Sequence, residues 1–287
     1  HALINHRDEL ISRKHRIEDL NLNSTGGSTG LTVNYYQDRN WLTHQVAGER
    51  FYNSIAGWEA GCRAAYLWGA PSDNDKAKEG WKAGVKNLLM NSRLFDSFDM
   101  SEDRMADYHH QLTRFAPDVM VCYAGSAYTL AKFLLTKGWR ADYPRRAIIT
   151  SAETLTPEMR RTIEAAFSAR VFNRYGSREV GVIGAECARH EGLHVNELDL
   201  FVESDTSNNP EGELLVTSLQ NFGMPLIRYE IGDVGALSSE PCACGRAGDR
   251  ISRLFGRTTH FFSTRDGRKI HGEYFTHLFY GLDAVRQ

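Results

Sequence analysis

A run of glycine and hydroxyl residues near the start of the chain, LNSTGGSTGLT at 22–32, has the composition of an anion-binding loop. Its central residues are Ser24, Thr25, Gly26, Gly27, Ser28, Thr29 and Gly30. Glycines let successive N–H groups converge on an anion, and hydroxyls add further donors. The loop therefore predicts a site for a pyrophosphate or triphosphate tail, although it lacks the lysine and the spacing of a Walker loop. A plain surface loop is the alternative, because glycine and serine are common in such loops.

Two further segments carry residue types that suit a nucleotide and its metal ion. In NRYGSREVG, at 173–181, Tyr175 offers a flat face for a base, Gly176 permits close approach, and Glu179 supplies an oxygen ligand for Mg²⁺. We expect this segment to follow the strand RVF, at the sheet edge where ligands gather. In MPLIRYEIGDVG, Asp233 has a carboxylate that can accept two ribose hydroxyls. The alternatives are a strand-to-helix turn with a solvated Arg–Glu pair and an ordinary turn aspartate.

Three cysteines and a histidine are spaced as in a metal site. Cys242 and Cys244 bracket a turn in CACGR, and Cys187 lies upstream in CARHEGLH with His190 and His194. Three thiolates and one imidazole would close a tetrahedral site for structural Zn²⁺ and leave no open catalytic position. The sequence favours this zinc site over three free thiols in a reducing cytoplasm.

Alternating strands and helices must position these residues. The runs AAYLWG, DVMVCY and RAIITSAE indicate buried strands, and Cys62 and Cys122 are assigned to apolar strands of the core. SEDRMADYHHQLTRF, AYTLAKFLLTK and TPEMRRTIEAAF repeat apolar residues at helical spacing, with Gly125 and Ser126 turning the chain into the second helix. This alternation predicts an α/β fold with a largely parallel sheet covered on both faces. Beyond residue 195, short alternating runs predict a β-rich part.

Composition and charge exclude several functions. The formal net charge of −2, with both signs interspersed, gives no field that would attract nucleic acid or an anionic membrane. No apolar run approaches the roughly 18 residues of a membrane span, and the first residues lack the apolar core of a secretory signal. Five cysteines in 287 residues do not make a disulfide scaffold. A cytoplasmic protein is therefore expected, and homodimer formation stays open.

The motifs occur together in the order typical of a known family. STGGSTG, TSAE at 150–153, YGSRE, GELLVTSL, MPLIRYEIGD and the GR of Arg257 resemble the adenylate-forming enzymes. The resembled branch contains phenylacetate-CoA ligases, CapK-type capsular polysaccharide proteins and synthetases that adenylylate a deazaflavin coenzyme. The resemblance runs from residue 21 to the end, and it implies the N-terminal core fold of these enzymes, with helix-covered parallel-rich sheets followed by a β-rich subdomain.

The resemblance implies a contact with ATP for each matched segment. The loop at 24–30 would hold the β and γ phosphates, and Ser151–Ala152–Glu153 would border the adenine. Tyr175 would stack on the base, beside Gly176 and Ser177. Asp233 would bind the ribose hydroxyls. Arg257 would lie near the ribose and a hinge to a mobile C-terminal subdomain.

The implied chemistry is attack by a carboxylate on the α-phosphorus of ATP, followed by transfer of the acyl group to a thiol such as CoA. Glu179, as the Mg²⁺ ligand, and Arg257 would be the catalytic residues. Some members of the branch have a cysteine, a histidine seven residues later and then CxCGR, which favours His194 over His190 as a zinc ligand. The alternatives are adenylyl transfer to a hydroxyl of a coenzyme or saccharide precursor, and an inactive nucleotide-binding scaffold of polysaccharide biosynthesis.

The sequence departs from the family pattern at several positions. The phosphate loop lacks the usual lysine, Arg178 stands where threonine is common, and His260 stands where a hinge aspartate is frequent. We predict a nucleotide- and acid-binding core at 1–194, a β-rich subdomain completing the ATP site at 195–256, and a hinge with the start of a C-terminal subdomain at 257–287. We interpret the chain as a fragment lacking both termini, and therefore as an impaired enzyme by itself.

Overall fold

The computed structural model describes residues 2–25, 33–69, 91–207, 211–257, 261–263 and 269–271. The chain divides into two compact units. The α/β unit contains residues 43–196 and 241–247, and the β-rich unit contains residues 1–42, 197–240 and 248–287. The three predicted regions, at 1–194, 195–256 and 257–287, remain a prediction.

The α/β unit is built on a sheet in which a parallel part is continued by an antiparallel part. Its strands lie in the order β9-β8-β7-β6-β5-β3-β4. They are β3 (Ala64–Trp68), β4 (Ser92–Asp96), β5 (Val119–Tyr123), β6 (Ala147–Ser151), β7 (Arg170–Ser177), β8 (Gly181–Glu186) and β9 (Leu193–Val195). Pairing is parallel from β4 to β7 and antiparallel from β7 to β9. The predicted parallel-rich sheet is confirmed.

Helices cover both faces of this sheet. They are α2 (Arg39–Ile55), α3 (Glu102–Phe115), α4 (Ala124–Lys137) and α5 (Pro157–Phe167). On β5, Met120 and Cys122 belong to the core cluster that contains α3, α4 and α5. Val121 faces the other way and packs with Ala56, directly after α2. Because successive strand side chains point to opposite faces, each face buries its own core.

Helix periodicity and capping follow the sequence closely. The buried residues of α3 are Met105, Tyr108, Leu112 and Phe115, which recur at helical spacing in the sequence. At the start of α5, Pro157 occupies the first turn, and the Thr156 hydroxyl accepts a hydrogen bond from the Met159 N–H at 3.2 Å. This bond satisfies one of the backbone donors that a helix N-terminus leaves open.

Two predictions about local structure are wrong. Helix α4 begins at Ala124, directly after β5, so Gly125 and Ser126 lie in its first turn and form no separate turn before it. Cys122 is buried in β5, but Cys62 is half-buried in the loop before β3. Pairing of β3 starts only at Ala64, which places Cys62 outside the sheet.

The β-rich unit contains an antiparallel meander and a separate hairpin. The meander runs in sequence through β10 (Leu200–Asp205), β11 (Glu213–Ser218), β12 (Tyr229–Ser238) and β13 (Arg250–Arg257). The hairpin pairs β1 (Asn21–Ser24) with β2 (Asn34–Gln37). A short helix α1 (Ala2–Asn5), 3₁₀ turns at Arg7–Leu10 and Ile17–Asp19, and the pair β14 (Phe261–Ser263) and β15 (Lys269–His271) also lie here.

The predicted β-rich part beyond residue 195 is confirmed by this meander. Within the described ranges, each helix is too short or too polar to cross a lipid bilayer.

Candidate functional site

Two of the predicted ATP segments lie at the ends of neighbouring parallel strands of the α/β unit. β6 ends at Ser151 and leads into Ala152 and Glu153, both exposed, while Tyr175 lies near the end of the adjacent β7. Ala152 has φ +68°, a left-handed conformation that residues with a Cβ rarely adopt and that clusters at functional sites. The carboxyl ends of strands in α/β sheets are where ligands gather.

The segment 173–181 forms a hairpin, which corrects its predicted place after the strand. β7 continues through Tyr175 to Ser177, turns at 178–180 and returns as the antiparallel strand β8. Close backbone approach explains why Gly176 stands here, since a Cβ on it would lie 2.5 Å from the Gly181 carbonyl oxygen. β7 therefore continues five residues beyond Phe172, where the sequence pattern placed the end of the strand.

The turn of this hairpin holds two charged side chains in different environments. Glu179 is only 8% exposed, whereas Arg178 is exposed to solvent. Carboxylates are ligands that Mg²⁺ uses together with phosphate oxygens. The metal-binding role of Glu179 stays a prediction.

Glu153 bonds to the N-terminal turn of α4. Its Oε2 accepts a hydrogen bond from the Gly125 N–H at 2.6 Å, and a Cβ on Gly125 would lie 2.9 Å from the same oxygen. A carboxylate is favoured at a helix N-terminus because the open N–H groups carry partial positive charge. This contact holds the loop after β6 close to the start of α4.

In the β-rich unit, the two residues predicted near the ribose are cross-strand partners. Asp233 of β12 pairs in register with Arg257 of β13, and the Arg257 Nε lies 3.2 Å from Asp233 Oδ1. Arg257 also donates from Nη1 to the Ile231 carbonyl at 2.8 Å. Asp233 is 7% exposed, so its carboxylate is oriented by a charge-assisted contact in a largely dry environment.

The predicted phosphate loop joins the strands of the β1–β2 hairpin. Ser24 ends β1, and the next residue, Thr25, is bonded to Val33 in both directions. The Thr25 N–H donates to the Val33 carbonyl at 2.9 Å, and the Val33 N–H donates to Thr25 Oγ1 at 3.0 Å. This pair of bonds fixes both ends of the loop. Gly26, Gly27, Ser28, Thr29 and Gly30 lie outside the described residues.

The predicted metal-ligating side chains meet at one place in the α/β unit. Cys187, His194, Cys242 and Cys244 each offer one ligand atom, and these atoms all lie within 4.8 Å of one another. The Cys187 and Cys242 sulfurs are 3.8 Å apart, and Cys244 Sγ is 3.4 Å from His194 Nε2. A tetrahedral Zn²⁺ with ligand distances of about 2.3 Å to sulfur and about 2.0 Å to nitrogen implies separations of about 3.8 Å and about 3.5 Å. The donor set and these two distances therefore fit zinc.

Two backbone turns present the thiols of this Cys₃His site. The Arg189 N–H donates to Cys187 Sγ at 3.4 Å, and the Arg246 N–H donates to Cys244 Sγ at 3.5 Å. Gly245, with φ +80°, permits the second turn. Such bonds stabilise negative charge on sulfur, and metal-bound cysteine is a thiolate.

The thiols differ in acidity. Burial raises the pKa of Cys187 to about 11, against the opposing effect of the Arg189 N–H. Burial also acts to raise the pKa of Cys244, but hydrogen bonds from the Arg246 N–H and the neighbouring thiols lower it below the usual value. Outside the site, burial raises the pKa of Cys122 to about 12.

The alternative ligand His190 belongs to a different network. Its Nδ1 lies 3.0 Å from Glu186 Oε2, and Glu186 is also held by both of its oxygens to Arg160 Nη2, at 2.7 and 2.8 Å. The Asn173 N–H of β7 donates to the same carboxylate at 2.8 Å. This network ties the end of β8 to α5 and β7, directly before Cys187.

The sequence motifs did not single out Arg174, which is buried beside Tyr175. The signal was present, because strand alternation puts Arg174 on the same face as the core residue Phe172. A charge on a core face requires a partner.

No protein-family model matches the chain. Over 262 residues it is 27% identical to Protein CapK of Staphylococcus aureus, a match that covers 90% of this chain and 57% of CapK. Over 155 residues it is 32% identical to the phenylacetate-coenzyme A ligase of Thermus thermophilus, covering 50% of this chain and 35% of the ligase. The chain thus spans only part of the length of the curated relatives it matches.

Two solved structures illustrate a similar fold. The crystal structure of 2-hydroxyisobutyryl-CoA ligase in complex with 2-HIB-AMP and CoA has a TM-score of 0.69 at 19% identity, covering 90% of this chain and 61% of the ligase. ATP-bound MatB from Rhodopseudomonas palustris has a TM-score of 0.58 at 14% identity, covering 90% and 52%. The fold is that of the adenylate-forming enzyme core. Together with the sequence relatives, it confirms the resemblance to the adenylate-forming superfamily, in its CapK and phenylacetate-CoA ligase branch.

Proposed function

We propose that the protein uses ATP to activate a carboxylic acid as an acyl-adenylate and then forms a thioester with CoA. The observation that carries this proposal is the pairing of two adjacent strand ends, with Tyr175 on β7 and the strained Ala152 after β6, in a chain related to a CoA ligase. Structural neighbours solved with 2-HIB-AMP and CoA or with ATP support the same chemistry.

The reaction consists of two successive nucleophilic displacements. A carboxylate oxygen of the acid attacks the α-phosphorus of ATP, a new P–O bond forms, and the bond to pyrophosphate breaks. The thiol of CoA then attacks the acyl carbon, AMP leaves, and the thiol proton passes to solvent. Neither step requires a covalent bond to the protein, so its contribution is positioning and charge stabilisation.

The described residues would position the nucleotide by different means. Tyr175 would stack on the adenine, and the segment 151–153 would border the edge of the base. A carboxylate offers about four acceptor positions, so Asp233 can bind Arg257 and still accept ribose hydroxyls. The side chain of Glu179 would hold Mg²⁺, which would neutralise charge on the phosphates.

We also propose that Cys187, His194, Cys242 and Cys244 bind one structural Zn²⁺. Four protein ligands would fill the tetrahedral shell, so the ion would stabilise the fold without contacting substrate. Reduced thiols and a supply of ATP and CoA are consistent with a cytoplasmic location, which we include in the proposal.

Trapping of the activated acid tests the proposed reaction. The protein is incubated with Mg-ATP and pooled aryl, fatty or amino acids, together with either hydroxylamine or CoA. We expect a hydroxamate from one pool, and a CoA thioester when CoA replaces hydroxylamine. A stable AMP-bearing product that hydroxylamine does not trap would contradict acid activation and favour adenylyl transfer to a hydroxyl. Absence of any ATP-derived product with every acid pool would favour the scaffold function.

A further inference from the structure

Arg174 is a buried cation next to the proposed adenine-stacking residue. It lies in β7, and only 9% of its surface is exposed. Because side chains alternate along a strand, Arg174 and Tyr175 point to opposite faces of the sheet. Burying an unpaired charge is costly, so the position of Arg174 depends on the partners on its own face.

Those partners are two side chains of helix α2. Arg174 Nη1 donates to Glu49 Oε1 at 3.0 Å and to Asn53 Oδ1 at 2.9 Å. Glu49 and Asn53 are four residues apart, so they lie on one helix face, one turn from each other. Asn53 is 3% exposed, and the Glu49 side chain is 34% exposed. One nitrogen is thus fixed at two points on a regular helix.

Apolar packing holds the neighbouring parts of the sheet against the same stretch of chain. Phe172, two residues before Arg174 on the same face, packs in a cluster with Ala56, directly after α2. Tyr52 of α2 packs against Val182 of β8, and its hydroxyl donates to the Val195 carbonyl at 3.0 Å. Arg174 extends the contact between β7 and α2 toward the carboxyl end of β7, where hydrogen bonds to Glu49 and Asn53 take the place of apolar packing.

We infer that Arg174 is a positioning residue for the proposed ATP site, because its bonds to Glu49 and Asn53 hold the end of β7 on α2 and thereby fix Tyr175. The inference rests on the proposed function. Arg174 faces away from the nucleotide and acts through the backbone that it shares with Tyr175. An aromatic ring held in its binding orientation loses less conformational freedom when the base stacks on it.

The expected signature is a loss of ATP affinity without a loss of the chemical step. In Arg174→Met the guanidinium is lost and the aliphatic bulk is largely retained. We expect KM for ATP to rise about tenfold, with kcat and KM for the acid within about twofold of the wild type, because the lost effect is ground-state binding. Arg174→Lys keeps the positive charge but loses the planar guanidinium geometry, so its KM for ATP should lie between those of the wild type and Arg174→Met.

Arg146→Met provides a matched control. Arg146 Nη1 donates to the Gly57 carbonyl at 2.8 Å and lies 3.2 Å from Glu59, so it also bonds to the chain just beyond α2. It precedes β6 and therefore lies at the opposite, amino end of the strands. Its removal should leave KM for ATP unchanged.

Hydrogen–deuterium exchange measures the positioning itself. Amide exchange in residues 173–181 should accelerate about tenfold in Arg174→Met and stay at the wild-type rate in Arg146→Met. Glu49→Gln preserves the shape of the side chain and one acceptor oxygen, so it should accelerate amide exchange in the same residues by a smaller factor. This variant replaces Arg174→Met in the test if Arg174→Met folds poorly.

The outcomes separate this inference from the proposed function. Wild-type exchange rates and an unchanged KM for ATP in Arg174→Met would overturn the positioning role alone. Absence of ATP turnover in the wild type would overturn the proposed function and the role for ATP with it. An equal rise of KM in Arg174→Met and Arg146→Met would show a general effect of destabilisation, which also contradicts the inference.

Discussion

Removal of the Zn²⁺ that we propose for the Cys₃His site should lower the free energy of unfolding of the α/β unit. The site joins Cys187 and His194 to Cys242 and Cys244, and Cys187 is 55 residues from Cys242 along the chain. Residues 241–247 belong to the α/β unit, whereas their flanking segments belong to the β-rich unit. A single zinc ion would therefore attach the short segment 241–247 to the rest of the α/β unit. Loss of the ion would also remove the positive charge that stabilises the thiolate forms of the three cysteines.

The magnitude follows from linkage between binding and folding. An ion that binds only the folded state adds about 2.7 kcal/mol when its free concentration is about 100 times Kd, and about 1.4 kcal/mol for each further tenfold increase. For a unit of this size, a change of about 2.7 kcal/mol corresponds to a shift in Tm of roughly 5–11 °C. The slope against the logarithm of free zinc reports the number of ions, and we expect one per chain.

Thermal unfolding in zinc buffers of defined free concentration provides the assay. Thiol titration of the native protein gives an independent reading, because zinc should protect Cys187, Cys242 and Cys244 but not the half-buried Cys62. Cys62→Ser is the control and should keep the full zinc dependence, whereas Cys244→Ser should lose most of it. A Tm independent of zinc, together with equal thiol reactivity in the presence and absence of metal, would refute the zinc site.

Three further substitutions test the proposed ribose contact, the tight β7–β8 hairpin and the N-cap of α5. Asp233→Asn should raise KM for ATP by about tenfold or more, since it weakens charge-assisted bonds to ribose and arginine; Asp205→Asn, at a half-buried aspartate of β10, should not, and steady-state kinetics compares the two variants. Gly176→Ala should destabilise the protein by about 1–3 kcal/mol, measured by urea unfolding, because the new Cβ would overlap a backbone carbonyl. Thr156→Ala should cost about 1 kcal/mol through loss of its capping bond, whereas Ser101→Ala should cost less in the same assay, because the Ser101 side chain makes no cap bond.

Local patterns in the sequence predict most of the helices and strands of the α/β unit. Helix α3 buries four apolar residues that recur at helical spacing, and α5 begins at Pro157, directly after the capping residue Thr156. These features depend on neighbours three or four residues apart, so the sequence carries them directly. The start of α4 was misplaced because its first-turn glycine bonds to Glu153, 28 residues away.

The candidate site shows the same division between local and distant contacts. Motif spacing indicates the residue types, including the metal ligands, but the register that places Asp233 opposite Arg257 arises only from pairing of two distant strands. Arg174 lies 125 positions from Glu49 and 121 positions from Asn53 along the chain, so no local pattern identifies these partners. The apolar run near Cys62 indicates a strand, but it does not mark the residue at which pairing with neighbouring strands begins.

Exchange of labelled pyrophosphate into ATP tests the central claim most directly. The protein is assayed with pooled aryl, fatty and amino acids, with Glu179→Gln as the impaired variant. We expect exchange that depends on one acid pool and is reduced in Glu179→Gln. Absence of exchange with every acid pool, in the presence of Mg-ATP, would contradict acid activation by this protein.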